Sequence, residues 1–338
     1  MQESVTFDAK MAMEAYRTAF ENGSSEFLTR YPETELYAPV RYLMGLGGKR
    51  LRPVLVMAAC EAAGGRPEAA LPAALAVELF HNFTLMHDDI MDDAPLRRGK
   101  PTVHEKWDNN TAILSGDALH VMACEALLDA PDKALPDLLR TYHRTALEVC
   151  EGQEQDMAFE SRSDVKIEEY MEMIRLKTSV LLAAALDMGG KSGGADEQTR
   201  EALYEFGLHV GLAFQLQDDY LDAFGNPKNF GKQVGGDILA DKKTFLLIRA
   251  LEKAQGADFE ALQCELGRRS EGKVQRVLDL YRHLGVDAEL RDAMAGQVSL
   301  AEGALARLKS HNPKALKDSG GALALLHGVA AMVTARLS

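Results

Sequence analysis

The feature that most limits what this chain can fold into is its apolar spacing, which runs three and four positions apart almost from end to end. Leu75, Leu79, Phe83 and Met86 form one such stripe, and Met171, Ile174, Thr178, Leu181 and Leu182 form another. That interval is the repeat of a helix with one buried face. The apolar–polar alternation between turns that a half-buried strand needs is essentially absent. Gly64-Gly65, Pro95, Pro131, Gly189-Gly190, Gly225 with Pro227, Gly235-Gly236 and Pro313 punctuate the pattern. About a dozen helices of roughly 10 to 25 residues fit between these marks. No low-complexity linker, composition break or repeat divides the chain, so residues 1–338 are expected to form a single all-α domain, a large helical bundle.

The formal net charge of −13 argues against non-specific binding to nucleic acid or to an anionic membrane. Any anionic substrate must therefore meet a local cluster of Lys and Arg. Cys60, Cys124, Cys150 and Cys264 lie far apart with no C-x-x-C pair, which speaks against a disulfide framework or zinc site and for reduced thiols in a cytoplasm. The N-terminus lacks the apolar core of a signal peptide. The longest uncharged stretch, Gly320 to Ala335, falls short of the ~20 apolar residues of a membrane span and reads as a buried terminal helix.

Two acidic motifs stand out. Asp88-Asp89-Ile90-Met91-Asp92-Asp93 ends a helix that starts near Leu71, and Asp218-Asp219-Tyr220-Leu221-Asp222 ends one that starts near Asp196. Asp88/Asp92 and Asp218/Asp222 are each spaced i, i+4 and so share a helical face. Like charges so placed repel by a few tenths of a kcal/mol. Each motif also sits at the negative pole of its helix dipole, soon stopped by Pro95 or Gly225. That suits anions poorly and divalent cations well, and hard oxygen ligands in small number are what Mg²⁺ takes. One such motif alone reads as a solvated acidic face; two, each ending an apolar helix, do not. Neither has the glycine or twelfth-position glutamate of an EF-hand loop. Glu78-Leu79-Phe80-His81 is a Glu-x-x-His, but no second copy supports a di-iron bundle.

Cations accompany both motifs. Gly47-Gly48-Lys49-Arg50-Leu51-Arg52-Pro53 precedes the first and Arg97-Arg98-Gly99-Lys100 follows it; Lys232, Lys242 and Lys243 follow the second among Gly231 and Gly235-Gly236. Arg offers forked donors to phosphate oxygens, Lys a mobile charge, and glycine lets backbone amides approach an anion.

In order and spacing, six blocks resemble the trans-isoprenyl diphosphate synthases, the polyprenyl synthetase family. They are GGKRLRP (Gly47 to Pro53), ELFHNFTLMHDDIMDDAPLRRGKPTVH (Glu78 to His104), GQEQD (Gly152 to Asp156), LKTS (Leu176 to Ser179), FQLQDDYLD (Phe214 to Asp222) and GKQVGGDILADKKT (Gly231 to Thr244). They span about residues 40–250. The resemblance implies an isoprenoid-synthase bundle around a central active-site cavity, commonly in a homodimer. It implies a Mg²⁺-dependent enzyme, with three ions per site, that condenses isopentenyl diphosphate with dimethylallyl, geranyl or farnesyl diphosphate.

Residue roles follow by position. Asp88, Asp92 and Asp218 would hold the metals that bridge the allylic diphosphate, with Asp89, Asp219 and Asp222 completing the acidic set. Arg97, Lys177, Lys232 and Lys242 would contact that diphosphate. Gly48, Lys49, Arg52, His81 and Arg98 would bind isopentenyl diphosphate. Thr178 and Gln215 would face the developing carbocation. Phe83 and Thr84, five and four positions before Asp88, and Phe80 one turn further would wall the product tunnel. A single aromatic at the farther position, without an insertion in the motif, looks like a twenty-carbon floor, so geranylgeranyl diphosphate is the expected product and farnesyl diphosphate the next. One departure concerns Leu239-Ala240-Asp241, where the family often carries Arg-Glu-Gly, so either Lys242 or Lys243 could be the phosphate ligand. A terpene cyclase would usually replace the second motif and has no need of GGKRLRP. A non-catalytic subunit of a heteromeric synthase typically lacks one motif, and this chain keeps both.

Overall fold

The computed structural model describes residues 2–225, 235–268, 270–312 and 321–335. They are helical nearly throughout, as the spacing predicts. Among them the only strands are an antiparallel pair of two residues each, β1 (Leu96–Arg97) and β2 (Lys100–Pro101). The chain divides into two compact units, one of residues 1–146, 182–204 and 305–328, the other of 147–181, 205–304 and 329–338.

The first unit holds α1 (Gln2–Leu28), α2 (Ala38–Gly45), α3 (Leu51–Ala62), α4 (Leu71–Met91), α5 (Val103–Lys106) and α6 (Asn109–Leu127). Its axis is α4, in which every residue from Ala73 to Phe80 is buried, against α3 and α6. Burial of Leu75, Leu79, Phe80 and Met86 contributes about 1.5–3 kcal/mol each. By length and composition Pro67–Met91 could cross a membrane, but it is apolar because its unit surrounds it: 61% of its most apolar window is buried within the protein. The helix closes with Asp93 in the left-handed region (φ 49°), the Ala94 amide on the Asp89 carbonyl and the Asp93 amide on the Ile90 carbonyl. This double closure ends the helix within the first acidic motif, after Met91.

Gly189-Gly190 differs from the sequence reading. The pair lies inside α9 (Val180–Ser192) instead of ending it. A Cβ on Gly189 would stand 2.1 Å from the Val56 carbonyl oxygen, so the missing side chain lets α9 lie against α3. Nothing in the local pattern distinguishes a glycine that breaks a helix from one that admits a neighbour.

The second unit takes α7 (Leu135–Ser161) from 147 on, then α8 (Ile167–Ile174), a π-helical turn (Arg175–Ser179) and α10 (Glu197–Phe224) from 205 on. After these come α11 (Gly236–Leu239), α12 (Phe245–Lys253), α13 (Gly256–Glu265), α14 (Lys273–His283) and α15 (Val286–His311) as far as 304. Tyr170, Ile174, Leu212, Leu216, Phe245 and Tyr281 anchor its core. α10 starts where expected because the Asp196 carboxylate accepts the Thr199 amide (2.9 Å), an N-cap bond. The terminal apolar stretch is α16 (Ala322–Ala335), whose Ala322, Leu325, Leu326, Val329, Ala330 and Val333 form its buried face.

Candidate active site

In the first unit the GGKRLRP segment links α2 to α3 through backbone that few residues adopt: Gly47 at φ 75°, Gly48 at 132° and Arg50 at 49°. Arg50 is buried. Its Nη1 donates to Glu78 Oε1 (2.6 Å) and its Nη2 to the Met44 carbonyl, tying the segment to α4 and to the end of α2. Arg52 Nη1 lies 3.2 Å from His81 Nε2, while the buried Arg52 Nε has no hydrogen-bond partner. Burial, and then the guanidiniums of Arg52, Arg98, Arg97 and Arg50, hold the His81 pKa well below the usual histidine range. The ring is therefore neutral, and its Nε2 accepts from Arg52.

Arg98, at φ 53°, donates to the Gly47 carbonyl, and a Cβ on Gly48 would stand 2.9 Å from its guanidinium carbon. Arg97 is held differently. Its Nε and Nη2 form a fork on the Asp89 carboxylate at 2.7–2.9 Å, and Asp89 is buried. Glu78 thus answers Arg50 and Asp89 answers Arg97, while neither Arg52 nor Arg98 is in an ion pair among the described residues. Positive charge at the mouth of α3 is left for an anion. Asp88 is half-buried and Asp92 exposed, so their shared face meets solvent.

Below the acidic motif Phe80 is buried against Phe83, His120 and Tyr142, with ring centroids 5.5, 5.9 and 5.5 Å away. Phe83 in turn packs on His87 (4.7 Å) and His120 (5.2 Å). Thr84 turns its hydroxyl back to the His81 carbonyl (2.8 Å).

In the second unit Lys177 and Thr178 sit on the π-helical turn, squeezed from two sides. A Cβ on Gly152 would meet the Lys177 amide nitrogen at 2.3 Å, and one on Gly211 the Ser179 Cα at 2.6 Å. A π turn at a functional position is a recurrent device for turning side chains off the regular helical register. Here it sends Lys177 Nζ to Asp156 Oδ2 (2.6 Å) and the Thr178 hydroxyl to Gln215 Oε1 (3.2 Å). Lys242 Nζ reaches the same Asp156 oxygen at 3.9 Å, so one carboxylate gathers both lysines.

Gln215, Asp218 and Asp222 follow one another along a single face of α10. Asp219 points elsewhere. It is buried, accepts the Tyr170 hydroxyl and the Phe245 amide (3.2 Å), and burial pushes its carboxyl up to about 7. Asp222 Oδ2 accepts the Asp237 amide (3.0 Å), and its carbonyl the Gly235 amide (2.6 Å), which fastens the returning chain beneath the motif. Lys232 lies outside the described residues.

Several of these partners carry no role in the sequence reading: Arg50, Glu78, Asp156 and Tyr170. The signals were faint. Glu78 is a lone acid in an apolar run, and Asp156 closes a block whose lysine partner lies in another.

Among the described residues no three His, Cys, Asp or Glu side chains converge on one point as a metal cage. The donor set nonetheless fits Mg²⁺, which takes one or two carboxylates at a time and completes its shell with water and phosphate oxygens. Asp88 with Asp92, and Asp218 with Asp222, are such pairs, all carboxylate and none fully buried. Asp89 and Asp219 are spoken for by Arg97 and Tyr170.

Carboxylate pairs at helix ends, with cations braced by buried or half-buried acids, equip an all-helical enzyme to transfer groups carried on diphosphate. The polyprenyl synthetase family profile matches residues 33–284, and the chain belongs to that family. It is similar to the short chain isoprenyl diphosphate synthase of Methanothermobacter thermautotrophicus, at 44% identity over 75% of this chain and 78% of that one. A crystal structure of geranylgeranyl pyrophosphate synthase superposes with a TM-score of 0.84 at 42% identity, covering 91% of this chain and 98% of that one. A decaprenyl diphosphate synthase from Rhodobacter capsulatus does so with a TM-score of 0.87 at 28% identity, covering 98% and 99%. The backbone thus serves relatives named for products of very different length, and side chains must set that length.

Proposed function

We propose that this chain is a Mg²⁺-dependent short-chain trans-prenyltransferase that condenses isopentenyl diphosphate with allylic diphosphates, with geranylgeranyl diphosphate as its main product. The observation that carries this reading is that each acidic face is accompanied by cations braced by buried or half-buried acids: Arg97 by Asp89, Arg50 by Glu78, Lys177 by Asp156. Bracing holds a cation in place before substrate arrives, which is what electrostatic preorganisation requires. Residues 1–338 then act as one polyprenyl synthetase domain.

Asp88, Asp92, Asp218 and Asp222 would hold Mg²⁺, three ions in the full complex. When bound, the metal supplies Lewis-acid stabilisation of the leaving diphosphate. Asp89 and Asp219 orient Arg97 and Tyr170 rather than ligate. Lys177, Lys242 and Lys232, with Arg97, receive the allylic diphosphate as its C–O bond breaks and the electron pair leaves with it. Gly48, Lys49, Arg52, His81 and Arg98 hold isopentenyl diphosphate, His81 as a neutral ring. The Thr178 hydroxyl and Gln215 amide oxygens face the allylic cation. The double bond of isopentenyl diphosphate attacks that cation, and the proton then lost goes to the departed diphosphate.

Incubation of the purified chain with Mg²⁺, isopentenyl diphosphate and each allylic diphosphate in turn, with products sized by chromatography, tests the reading. The dominant product is expected to be the twenty-carbon diphosphate. A chain that consumes no isopentenyl diphosphate on its own would instead be the non-catalytic subunit of a heteromeric synthase.

The Phe80–Phe83–His120–Tyr142 cluster supports the product assignment, since it stacks rings in the direction a growing chain would extend from Asp88. Phe83→Ala is expected to shift products beyond twenty carbons while the enzyme stays active. An unchanged distribution from a folded, active variant would place the length-setting wall elsewhere. We also read the enzyme as a homodimer. Leu114, Val121 and Leu128, seven residues apart along α6 and its cap, are all exposed, an apolar stripe suited to a second copy. Sedimentation of the purified chain measures this directly. The four cysteines are free thiols, Cys150 and Cys264 exposed, which supports a reducing, cytoplasmic compartment.

A further inference from the structure

Among the described residues Lys273 is the most deeply buried cation of the second unit, with 1% of its side chain exposed. An ammonium group is kept at such depth only when a partner compensates it. That partner is Asp241, whose Oδ1 lies 2.7 Å from Lys273 Nζ and whose Oδ2 accepts the Gly267 amide (2.9 Å). Lys273, Val277 and Tyr281 line one face of α14, and with Asp237, Asp241 and Lys242 they bound a crevice of about 10 Å³. That is at the lower limit for a single water molecule, so the carboxylate rather than solvent answers the charge.

Asp241 is also the residue whose backbone is left-handed (φ 53°) where α11 ends. The Asp241 amide bonds the Ile238 carbonyl (3.3 Å) and the Lys242 amide the Asp237 carbonyl (2.9 Å), a closure that glycine usually makes. Aspartate tolerates the left-handed region better than most residues, and here its side chain is anchored at both oxygens. The anchor fixes the backbone one residue before Lys242, whose Nζ is turned toward Asp156 (3.9 Å). Lys243, by contrast, bends back to the Asp241 carbonyl (3.4 Å).

We propose that Lys273 and Asp241 form a buried latch that positions Lys242, and not Lys243, on the allylic diphosphate. A pair needed for stability alone could be apolar; an ion pair aimed at a left-handed turn also fixes direction. Lys273 touches no substrate and is a positioning residue. The inference rests on the reading of Lys242 as a diphosphate ligand, and the experiment separates the two.

Michaelis constants are measured on the full chain with geranyl diphosphate and with isopentenyl diphosphate for Lys242→Ala, Lys243→Ala, Lys273→Met and the double variant Asp241→Gly/Lys273→Met. Lys242→Ala and Lys273→Met are expected to raise the KM for geranyl diphosphate about tenfold or more, the worth of one charge-assisted contact, and to leave that for isopentenyl diphosphate within about twofold. Lys243→Ala leaves both near the parent values. The double variant removes the buried charge together with its partner. It is expected to regain the parent's denaturation midpoint and to keep the raised KM, because a bare glycine leaves the turn untethered. A double variant with parental KM beside an impaired Lys242→Ala would make the pair purely structural and overturn the latch. A Lys242→Ala variant with parental KM would overturn the ligand assignment, and the latch with it.

Discussion

Replacing Asp88 or Asp218 with alanine is expected to lower turnover by roughly 10³-fold or more while leaving the fold intact. The loss is large because, on the proposed reading, each substitution removes a metal-holding carboxylate at the place where charge develops on the leaving diphosphate, and the second aspartate of each motif cannot replace it. Removal of a single well-placed stabilising group from a transition state costs about 10²–10³ in rate, and a metal ligand does more than one donor. Asp89 cannot move in, because Arg97 holds both of its oxygens. Asp219 cannot either, because it is buried under Tyr170 and the Phe245 amide. Stability should move little, or rise. Asp88 and Asp92 repel across one turn and sit at the negative end of α4, so removing one relieves about 0.2–0.5 kcal/mol. The measurement is single-turnover rate at saturating Mg²⁺ beside the urea midpoint of each variant. Turnover within tenfold of the parent would reject the carboxylate as a metal ligand.

The second large effect falls on stability. Glu78→Ala strands the Arg50 guanidinium, 7% exposed, without its carboxylate, and loss of one partner of a buried ion pair costs about 3–5 kcal/mol. The damage should also reach the substrate. Arg50 sits between Lys49 and Arg52 in a left-handed conformation that its bonds to Glu78 and the Met44 carbonyl maintain, so the KM for isopentenyl diphosphate should rise with the fall in stability. Replacing both partners by residues of similar volume, Glu78→Leu with Arg50→Met, should recover most of the stability, because no unpaired charge remains. It should not recover the KM, since the segment has lost its tether. Equal recovery of both quantities would show that Glu78 and Arg50 only fill the core.

How much of this was legible beforehand depends on the range of the interaction. The helices that end in the acidic motifs begin where the sequence reading put them, at Leu71 with Pro72 in its first turn and beside the Asp196 cap, because a 3.6-residue repeat and these start and stop signals are all local. The shared faces of Asp88/Asp92 and Asp218/Asp222 follow from the same periodicity, and the six ordered blocks carried the family. The partners did not follow. Glu78 answers Arg50 from 28 positions away and Lys273 answers Asp241 from 32, and burial, which makes these pairs obligatory, belongs to the packed unit and not to any segment of chain. The same holds for Asp89 and Asp219. Each is the second aspartate of its motif, indistinguishable in sequence from its neighbours, and packing turned it inward to brace Arg97 or to meet Tyr170. Sequence determined which residue types stand at the helix ends; the tertiary structure decided which carboxylates stay open to solvent, because only packing fixes which side of a helix loses its water.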